Sequence, residues 1–298
     1  MKPSTVLALR AVGLDADEVE RIIRAALVED LGPDSLDVTS VATIPAGQTA
    51  TGDLVARQRG VVAGLPVAVA AYELATGDGV RVEPLVDDGA TVGPGTVLAR
   101  VSGQTRALLT AERTVLNLLS RMSGVATHTR LWVDALAGTG ARVLDTRKTT
   151  PGLRALDKYA VRAGGGTNKR MGLYDVAMIK DNHRLAAGGV AEAFRLVRAA
   201  FPTVGVQVEV ETVAEALAAV EAGADFLLCD NMAPELLRAV VAAVGGRAEL
   251  EATGGLTLAS AGEYARTGVD YLSVGALTHS SPILDLAFDL ISAGEAAG

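Results

Sequence analysis

The spacing of hydrophobic and polar positions changes character near residue 110. Upstream of it, Asp15 to Val28 carries Val19, Ile22, Ile23, Ala26 and Leu27 at helical intervals. Asp17, Glu18 and Glu20 lie in the first turn of that stretch, where the helix dipole favours acids. Thr49 to Gln58 and Gly79 to Val101 read as strands broken by glycine turns. Thr110 to Asp134 is a long helical pattern built on Val115, Leu116, Leu118, Leu119, Met122 and Val125.

A different rhythm follows. Short apolar runs end in polar clusters, and a helix-length stretch comes after each. The runs are Arg142 to Asp145, Val176 to Lys180, Val206 to Glu209, Phe226 to Asp230, Ala248 to Ala252 and Tyr271 to Gly275. Helical patterns fill Thr212 to Ala222, Pro234 to Val244 and Thr257 to Thr267. The steps from Glu209 to Asp230, Asp230 to Ala252 and Ala252 to Val274 are 21, 22 and 22 residues. This regularity predicts βα units and a parallel sheet. Six or seven units in about 170 residues favour a closed α/β barrel over an open doubly wound sheet.

Composition narrows the classes. The 298 residues are 49% hydrophobic, 21% charged and 3% aromatic, the profile of a packed soluble globule. The formal charge is −8, which argues against a nucleic-acid binder. Its distribution is uneven. From Arg142 to Arg184 ten basic residues face four acidic ones, so that window is +6 and the remainder −14. Glycine and threonine, not aromatics, separate the cations, which suits a pocket for a small multiply charged anion. The single cysteine, Cys229, excludes a disulfide framework. The N-terminus lacks a secretory pattern, and the most apolar run, Val61 to Ala71, is too short to span a bilayer. A cytoplasmic location is the expectation.

In an α/β barrel the catalytic groups stand at the C-terminal ends of the strands. Those ends read, in order, Thr146-Arg147-Lys148, Lys180-Asp181-Asn182-His183, Glu209-Val210-Glu211, Asp230-Asn231, Thr253-Gly254-Gly255 and Gly275-Ala276. Two are cationic, two anionic and two rich in glycine. Any one alone is an ordinary solvated strand end; together they describe a site. Glycine ends offer backbone N–H groups to a phosphate monoester. Glu209 and Asp230 are hard oxygen donors suited to Mg²⁺ and sugar hydroxyls. Arg147, Lys148, Arg170 and Lys180 suit a diphosphate and carboxylates, with arginine supplying a bidentate fork. The loop Ala163 to Arg170 is too glycine-rich for a helix and is placed to bring Arg170 over the mouth. No Gly-Lys-Ser/Thr order is present, so it is not a P-loop. His183 and His279 fall near strand ends and are candidates to line the site; His128 reads as structural.

Fixed residues now carry a resemblance. Asp145-Thr146-Arg147-Lys148-Thr149-Thr150-Pro151-Gly152-Leu153-Arg154, Lys158 to Arg162, Gly164 to Gly166, Asn168, Arg170 and Ile179 to His183 together resemble quinolinate phosphoribosyltransferases. Thr110 to Asn117, Glu209 to Glu211, Leu228 to Asn231 and Val274 to His279 are similar to the same family, as are Glu29 to Gly32 and Asp37 to Ser40. The likeness spans nearly the whole chain.

The resemblance implies an N-terminal α+β open sandwich over 1–112, rejoined by the C-terminal segment 281–298, and an irregular α/β barrel over 113–280. It implies transfer of the phosphoribosyl group of 5-phosphoribosyl 1-diphosphate to quinolinate with decarboxylation, giving nicotinate mononucleotide, CO₂ and diphosphate in NAD biosynthesis. It implies a homodimer or larger oligomer in which Arg113 crosses to the partner's barrel. Arg113, Arg147, Lys169 and Arg170 are then expected around quinolinate, Lys148 and Lys180 on diphosphate or carboxylate, and Thr146 among the substrate-binding residues. Glu209 and Asp230 are expected on ribose hydroxyls and Mg²⁺, and Thr253, Gly254, Gly255 and Gly275 on the 5-phosphate. One residue departs from the family pattern: Lys169 stands where that family usually has histidine.

Other readings are weighed beside it. A relative of the same fold associated with molybdenum transport shares the scaffold with altered contacts. A Schiff-base barrel enzyme would use Lys180 as nucleophile. A non-catalytic phosphosugar-binding barrel would not need Lys148, Lys180, Glu209 and Asp230 together. The turn region Asp88 to Gly95 resembles the hairpin of biotinyl and lipoyl carriers, but no lysine lies between Arg81 and Arg100 to be modified.

Overall fold

The computed structural model describes residues 1–291. In chain order the elements begin with α1 (Pro3–Ala11), α2 (Ala16–Leu31), α3 (Val38–Thr43), β1 (Thr49–Ala56), β2 (Gly60–Val61) and α4 (Leu65–Thr76). There follow β3 (Val80–Pro84), β4 (Thr91–Val92), β5 (Val97–Gln104), α5 (Thr105–Ala135), β6 (Arg142–Leu144) and α6 (Arg154–Ala163). The chain continues with β7 (Val176–Ile179), α7 (Asp181–Ala187), α8 (Val190–Ala200), β8 (Gly205–Val210), α9 (Val213–Glu221) and β9 (Phe226–Asp230). It ends with α10 (Pro234–Val244), β10 (Glu249–Thr253), α11 (Leu258–Ala265), β11 (Tyr271–Ser273), α12 (Ala276–His279) and β12 (Leu286–Ile291). Among the described residues no helix is long and apolar enough to cross a membrane.

The chain forms two compact units. The first holds Met1–His128, Thr150–Gly165 and the segment from Ser281 onward. Its main sheet is antiparallel in the order β12-β1-β5-β3, with Leu54 opposite Phe288 and Asp53 opposite Asp289. The C-terminal segment pairs with β1 in the first unit through Ile291; the rest of the expected segment, 292–298, lies outside the described residues. Helix α2 starts where the spacing predicts. Asp15 caps it by accepting the Glu18 N–H at 2.9 Å, and Val19, Ile22, Ile23 and Leu27 are buried.

The second unit holds Thr129–Thr149 and Gly166–Ser280. Its six described strands are all parallel, in the order β6-β11-β10-β9-β8-β7. Strands β7 to β11 sit side by side in sequence order, and β6 joins the far edge beside β11. That is the order of a barrel left open along one seam, because β6 and β7 share no ladder among the described residues. Thr167 runs beside β6 there, donating its N–H to Val143 O at 2.8 Å and accepting from the Asp145 N–H at 3.1 Å. The strands are nearly continuous apolar runs, as in a sheet covered on both faces. Val208, Leu227, Leu250 and Leu272 are all buried in them.

The boundary expected at 112/113 is displaced. It would cut α5, which the first unit retains as far as His128. Helix α6 also belongs to the first unit, although it lies between β6 and β7 in sequence. The physical reason is its side chains. Leu156, Tyr159, Ala160 and Val161 are buried, Asp157 is ion-paired to Arg121 at 3.1 Å, and Arg162 donates to Val12 O at 2.8 Å. The Tyr159 hydroxyl also donates to Asp88 Oδ2. Three members of the basic island, Arg154, Lys158 and Arg162, thus serve the first unit, and Lys158 is fully buried.

The return of the C-terminal segment depends on Gly124 of α5. A Cβ there would stand 2.1 Å from Pro282 O, and Leu284 N–H donates to Ser120 O at 3.0 Å one turn away. Gly124→Ala is expected to lower stability by about 1–3 kcal/mol through this overpacking, measured as a lower urea midpoint.

Candidate active site

A cavity of about 860 Å³ opens at the C-terminal ends of the strands in the second unit. Its size and mixed lining suit a small polar ligand. The loop after β6 contributes Thr146, Arg147 and Lys148; the segment beside the seam contributes Lys169 and Arg170; the end of β7 contributes Lys180 and Asp181. Strands β8 and β9 present Glu209, Leu228, Asp230 and Asn231. Thr253, Gly254 and Gly255 follow β10, and Gly275 follows β11. The structure therefore brings Arg147, Lys148, Lys180, Glu209, Asp230 and the glycines after β10 and β11 to one cavity, but not His183. Arg113 lies in the first unit, exposed on α5, and does not line this cavity.

Local hydrogen bonds explain these placements. Asp145, fully buried at the end of β6, accepts from Asn168 Nδ2 and from the Lys169 N–H, both at 2.7 Å. That clamp sets the loop expected to carry Arg170. Arg170 is buried, donating from Nη1 to Val176 O at 2.9 Å and approaching Met178 Sδ at 3.6 Å. Burial lowers the Arg170 pKa, the neighbouring Arg147 adds to that, and Asp175 opposes it. Lys148 is held by its backbone: its N–H donates to Thr146 Oγ1 at 3.0 Å, and its carbonyl accepts from Thr278 Oγ1 at 2.9 Å.

The glycine ends have a steric cause. Gly254 has φ +92°, and a Cβ there would fall 2.3 Å from Asn231 Oδ1. Asn231 itself adopts φ 51° while its N–H donates to Thr253 O at 2.9 Å. Only glycine lets the two strand ends approach this closely. At Gly275 a Cβ would sit 3.0 Å from Lys148 Cδ.

Two lysine–glutamate pairs cross the cavity. Lys180 Nζ lies 3.2 Å from Glu209 Oε2, with the lysine half exposed. This is unlike the desolvated lysine of a Schiff-base enzyme. Lys169 Nζ donates to Glu251 Oε1 at 2.6 Å, and both side chains are buried. Glu251 is a cavity residue that the strand ends do not announce, because it lies inside β10 and not after it. A signal existed: a glutamate two residues before Thr253, on the same face of an otherwise apolar strand.

The histidines divide. His279 lines the cavity. His183 does not; its Nδ1 turns back to accept the Lys180 N–H at 3.0 Å, within the first turn of α7. His128 contacts Ser281 Oγ at 2.8 Å, and burial lowers its pKa, in keeping with a structural residue. Among the described residues no group of three or more His, Cys, Asp or Glu side chains forms a metal cage.

The strand order, the site at the strand ends and the clustered cations define a two-unit α/β protein built to hold a small polyanion. The model of the quinolinate phosphoribosyl transferase C-terminal domain matches residues 125–289, and that of the N-terminal domain matches 37–123. The chain belongs to the quinolinate phosphoribosyltransferase family. It is 50% identical over 278 residues to the carboxylating nicotinate-nucleotide pyrophosphorylase of Mycobacterium leprae, covering 92% of this chain and 98% of that protein. It is 39% identical over 292 residues to the decarboxylating quinolinate phosphoribosyltransferase 1b of Nicotiana tabacum, covering 92% of this chain and 82% of the other. The solved nicotinate-nucleotide pyrophosphorylase of Francisella tularensis superposes with a TM-score of 0.88 at 34% identity, over 92% of this chain and 96% of that one.

Replacing Asp145 by alanine is expected to free the segment that carries Lys169 and Arg170. Amide hydrogen exchange at Lys169 should accelerate, and stability should fall by about 1–3 kcal/mol as buried donors lose their acceptor.

Proposed function

We propose that this chain transfers the phosphoribosyl group of 5-phosphoribosyl 1-diphosphate to quinolinate, releasing CO₂ and diphosphate and forming nicotinate mononucleotide, a step in NAD biosynthesis. The observation that carries the reading is a cavity lined by Arg147, Lys148, Arg170 and Lys180 together with Glu209 and Asp230, with glycine-rich ends after β10 and β11, in a chain of this family. Arg147 and Arg170 match the two carboxylates of quinolinate, arginine giving planar two-point pairing. Lys148 and Lys180 meet the diphosphate or a carboxylate. Thr146 hydrogen-bonds near them, and Thr253, Gly254, Gly255 and Gly275 receive the 5-phosphate on backbone N–H groups.

The reaction follows from where charge moves. Departure of diphosphate leaves positive charge on the ribose C1 and ring oxygen. Lysines stabilise the leaving group, and Glu209 and Asp230 offset the developing cation and hold the ribose hydroxyls. Attack by the pyridine nitrogen makes the ring cationic. The ring then takes the electron pair as the 2-carboxylate leaves as CO₂, and a proton closes the vacated carbon.

The donors suit Mg²⁺. This ion is ordinarily bound by one or two carboxylates together with substrate phosphates and water, not by a full protein cage. Glu209 and Asp230 line the same cavity, and among the described residues no three His, Cys, Asp or Glu side chains are grouped to form such a cage. When bound, Mg²⁺ supplies charge neutralisation on the diphosphate.

We also propose a homodimer, or a larger oligomer, in which Arg113 enters the partner's cavity; its exposure on α5 supports this.

Two outcomes are expected. With both substrates and Mg²⁺, quinolinate labelled at the 2-carboxylate should release labelled CO₂, and nicotinate should not turn over in its place; no release, or equal turnover of nicotinate, would sink the assignment. Arg113→Ala and Lys148→Ala, each inactive alone through the loss of about 2–5 kcal/mol of charge pairing, should regain partial activity when their subunits are mixed. Heterodimers that form without regaining activity would remove Arg113 from the site.

A further inference from the structure

The floor of the cavity holds a buried pair, Lys169 and Glu251. Glu209 of β8, Leu228 of β9, Glu251 of β10 and Tyr271 of β11 form one row of neighbours across the sheet. Adjacent residues of such a row project to the same side. Glu209, Leu228 and Glu251 all line the cavity. Lys169 reaches this row from the seam, its backbone clamped by Asp145 at 2.7 Å and its Nζ 2.6 Å from Glu251 Oε1. Side-chain exposure is 7% for Lys169 and 0% for Glu251.

We propose that Glu251 is a positioning residue that fixes Lys169 as a net-neutral hydrogen-bond donor at the cavity floor, leaving the arginines to supply the charge that recognises the pyridine dicarboxylate. The proposal rests on the quinolinate reading above. The pair is neutral whichever partner carries the proton. A buried lysine next to Arg170 and Lys180 could not remain charged without a counter-ion, and a buried glutamate beside Glu209 could not either. Each partner's protonation follows its surroundings. Burial lowers the Lys169 pKa; Glu251 opposes this, and Arg170 and Lys180 add to it. Burial raises the Glu251 pKa; Lys169 and Ser273 oppose this, and Glu209 adds to it. The Cys229 thiol, on β9, is a further titratable neighbour of Glu251; burial, with Glu251 adding to it, pushes it up to about 12, so it stays protonated.

The consequence concerns specificity. An unpaired lysine here would be one more cation drawn to any anionic ring. A neutral donor reads shape and hydrogen-bond pattern, and binding strength is left to Arg147 and Arg170.

Calorimetry of quinolinate binding in buffers of different ionisation enthalpy tests this. In the wild type the pair contributes no net proton exchange. Glu251→Gln removes the interaction that opposes the downward shift of the Lys169 pKa, so the free variant is expected to lose lysine protonation that the arriving dianion restores. That variant should therefore take up more protons per site than the wild type. The extra uptake should vanish in Lys169→Met/Glu251→Gln. A second measurement stands even if Glu251→Gln fails to fold. Lys169→Met is expected to remove no net charge, because burial raises the Glu251 pKa and the variant loses the lysine that opposes this. It should weaken quinolinate by about tenfold or less, the loss of one uncharged hydrogen bond, and leave the salt dependence of Kd unchanged. Arg170→Met should weaken binding further and flatten that dependence. Equal proton uptake in wild type and a folded Glu251→Gln overturns the proposal. Equal flattening by Lys169→Met and Arg170→Met overturns it as well. A wild type that binds no quinolinate takes the functional reading down with it, whereas binding with either overturning result removes only the role of Glu251.

Discussion

The buried carboxylate of Asp145 is the constraint on which the site depends. It ends β6 with no exposure and accepts from Asn168 Nδ2 and the Lys169 N–H. Those bonds dock a glycine-rich segment along β6, where Thr167 already exchanges two backbone bonds with the strand. The docked segment occupies the seam that β6 and β7 leave without a ladder. Lys169 and Arg170 follow directly from it, so the irregularity of the sheet and the position of two site cations have one cause. A buried acceptor of this kind is costly to leave unpaired, which makes the docked arrangement specific.

The electrostatics extend the same logic. The site is not a bowl of free cations. Lys180 faces Glu209 and Lys169 faces Glu251, so much of the positive charge counted along the sequence is matched locally. Low dielectric magnifies both the attraction within each pair and the cost of breaking it. The arginines differ: Arg170 spends one face of its guanidinium on Val176 O and lines the cavity beside Arg147. An acidic chain of net charge −8 can hold an anion in this way, because local order and not the total sets the field at the mouth.

Much of this was legible in the residues. Helix α10 spans the predicted Pro234 to Val244, and the six apolar runs are the six described strands of the second unit. The polar clusters after those runs line one cavity, because period and strand direction together oblige every C-terminal end to face the same way. Helix α6 was harder to read. Its pattern is that of a helix in a βα rhythm, yet Asp157, Tyr159 and Arg162 find partners at Arg121, Asp88 and Val12. Amphipathic spacing shows that a helix has a face to bury, and says nothing of what covers it. His183 shows the same limit on a smaller scale, since a ring one turn into α7 can point to the cavity or back to the Lys180 amide.

The sequence by itself determined the elements, the parallel sheet, the family and the list of charged strand ends, because these depend on local periodicity and on residue types at known intervals. Tertiary structure alone decided which charges remain available to a ligand. Lys169 and Glu251 are 82 residues apart in the chain, and Arg57 and Asp289 are 232 apart; no local pattern links such partners. Only folding brings a buried lysine within 2.6 Å of a buried glutamate and turns an apparent cation into a neutral pair.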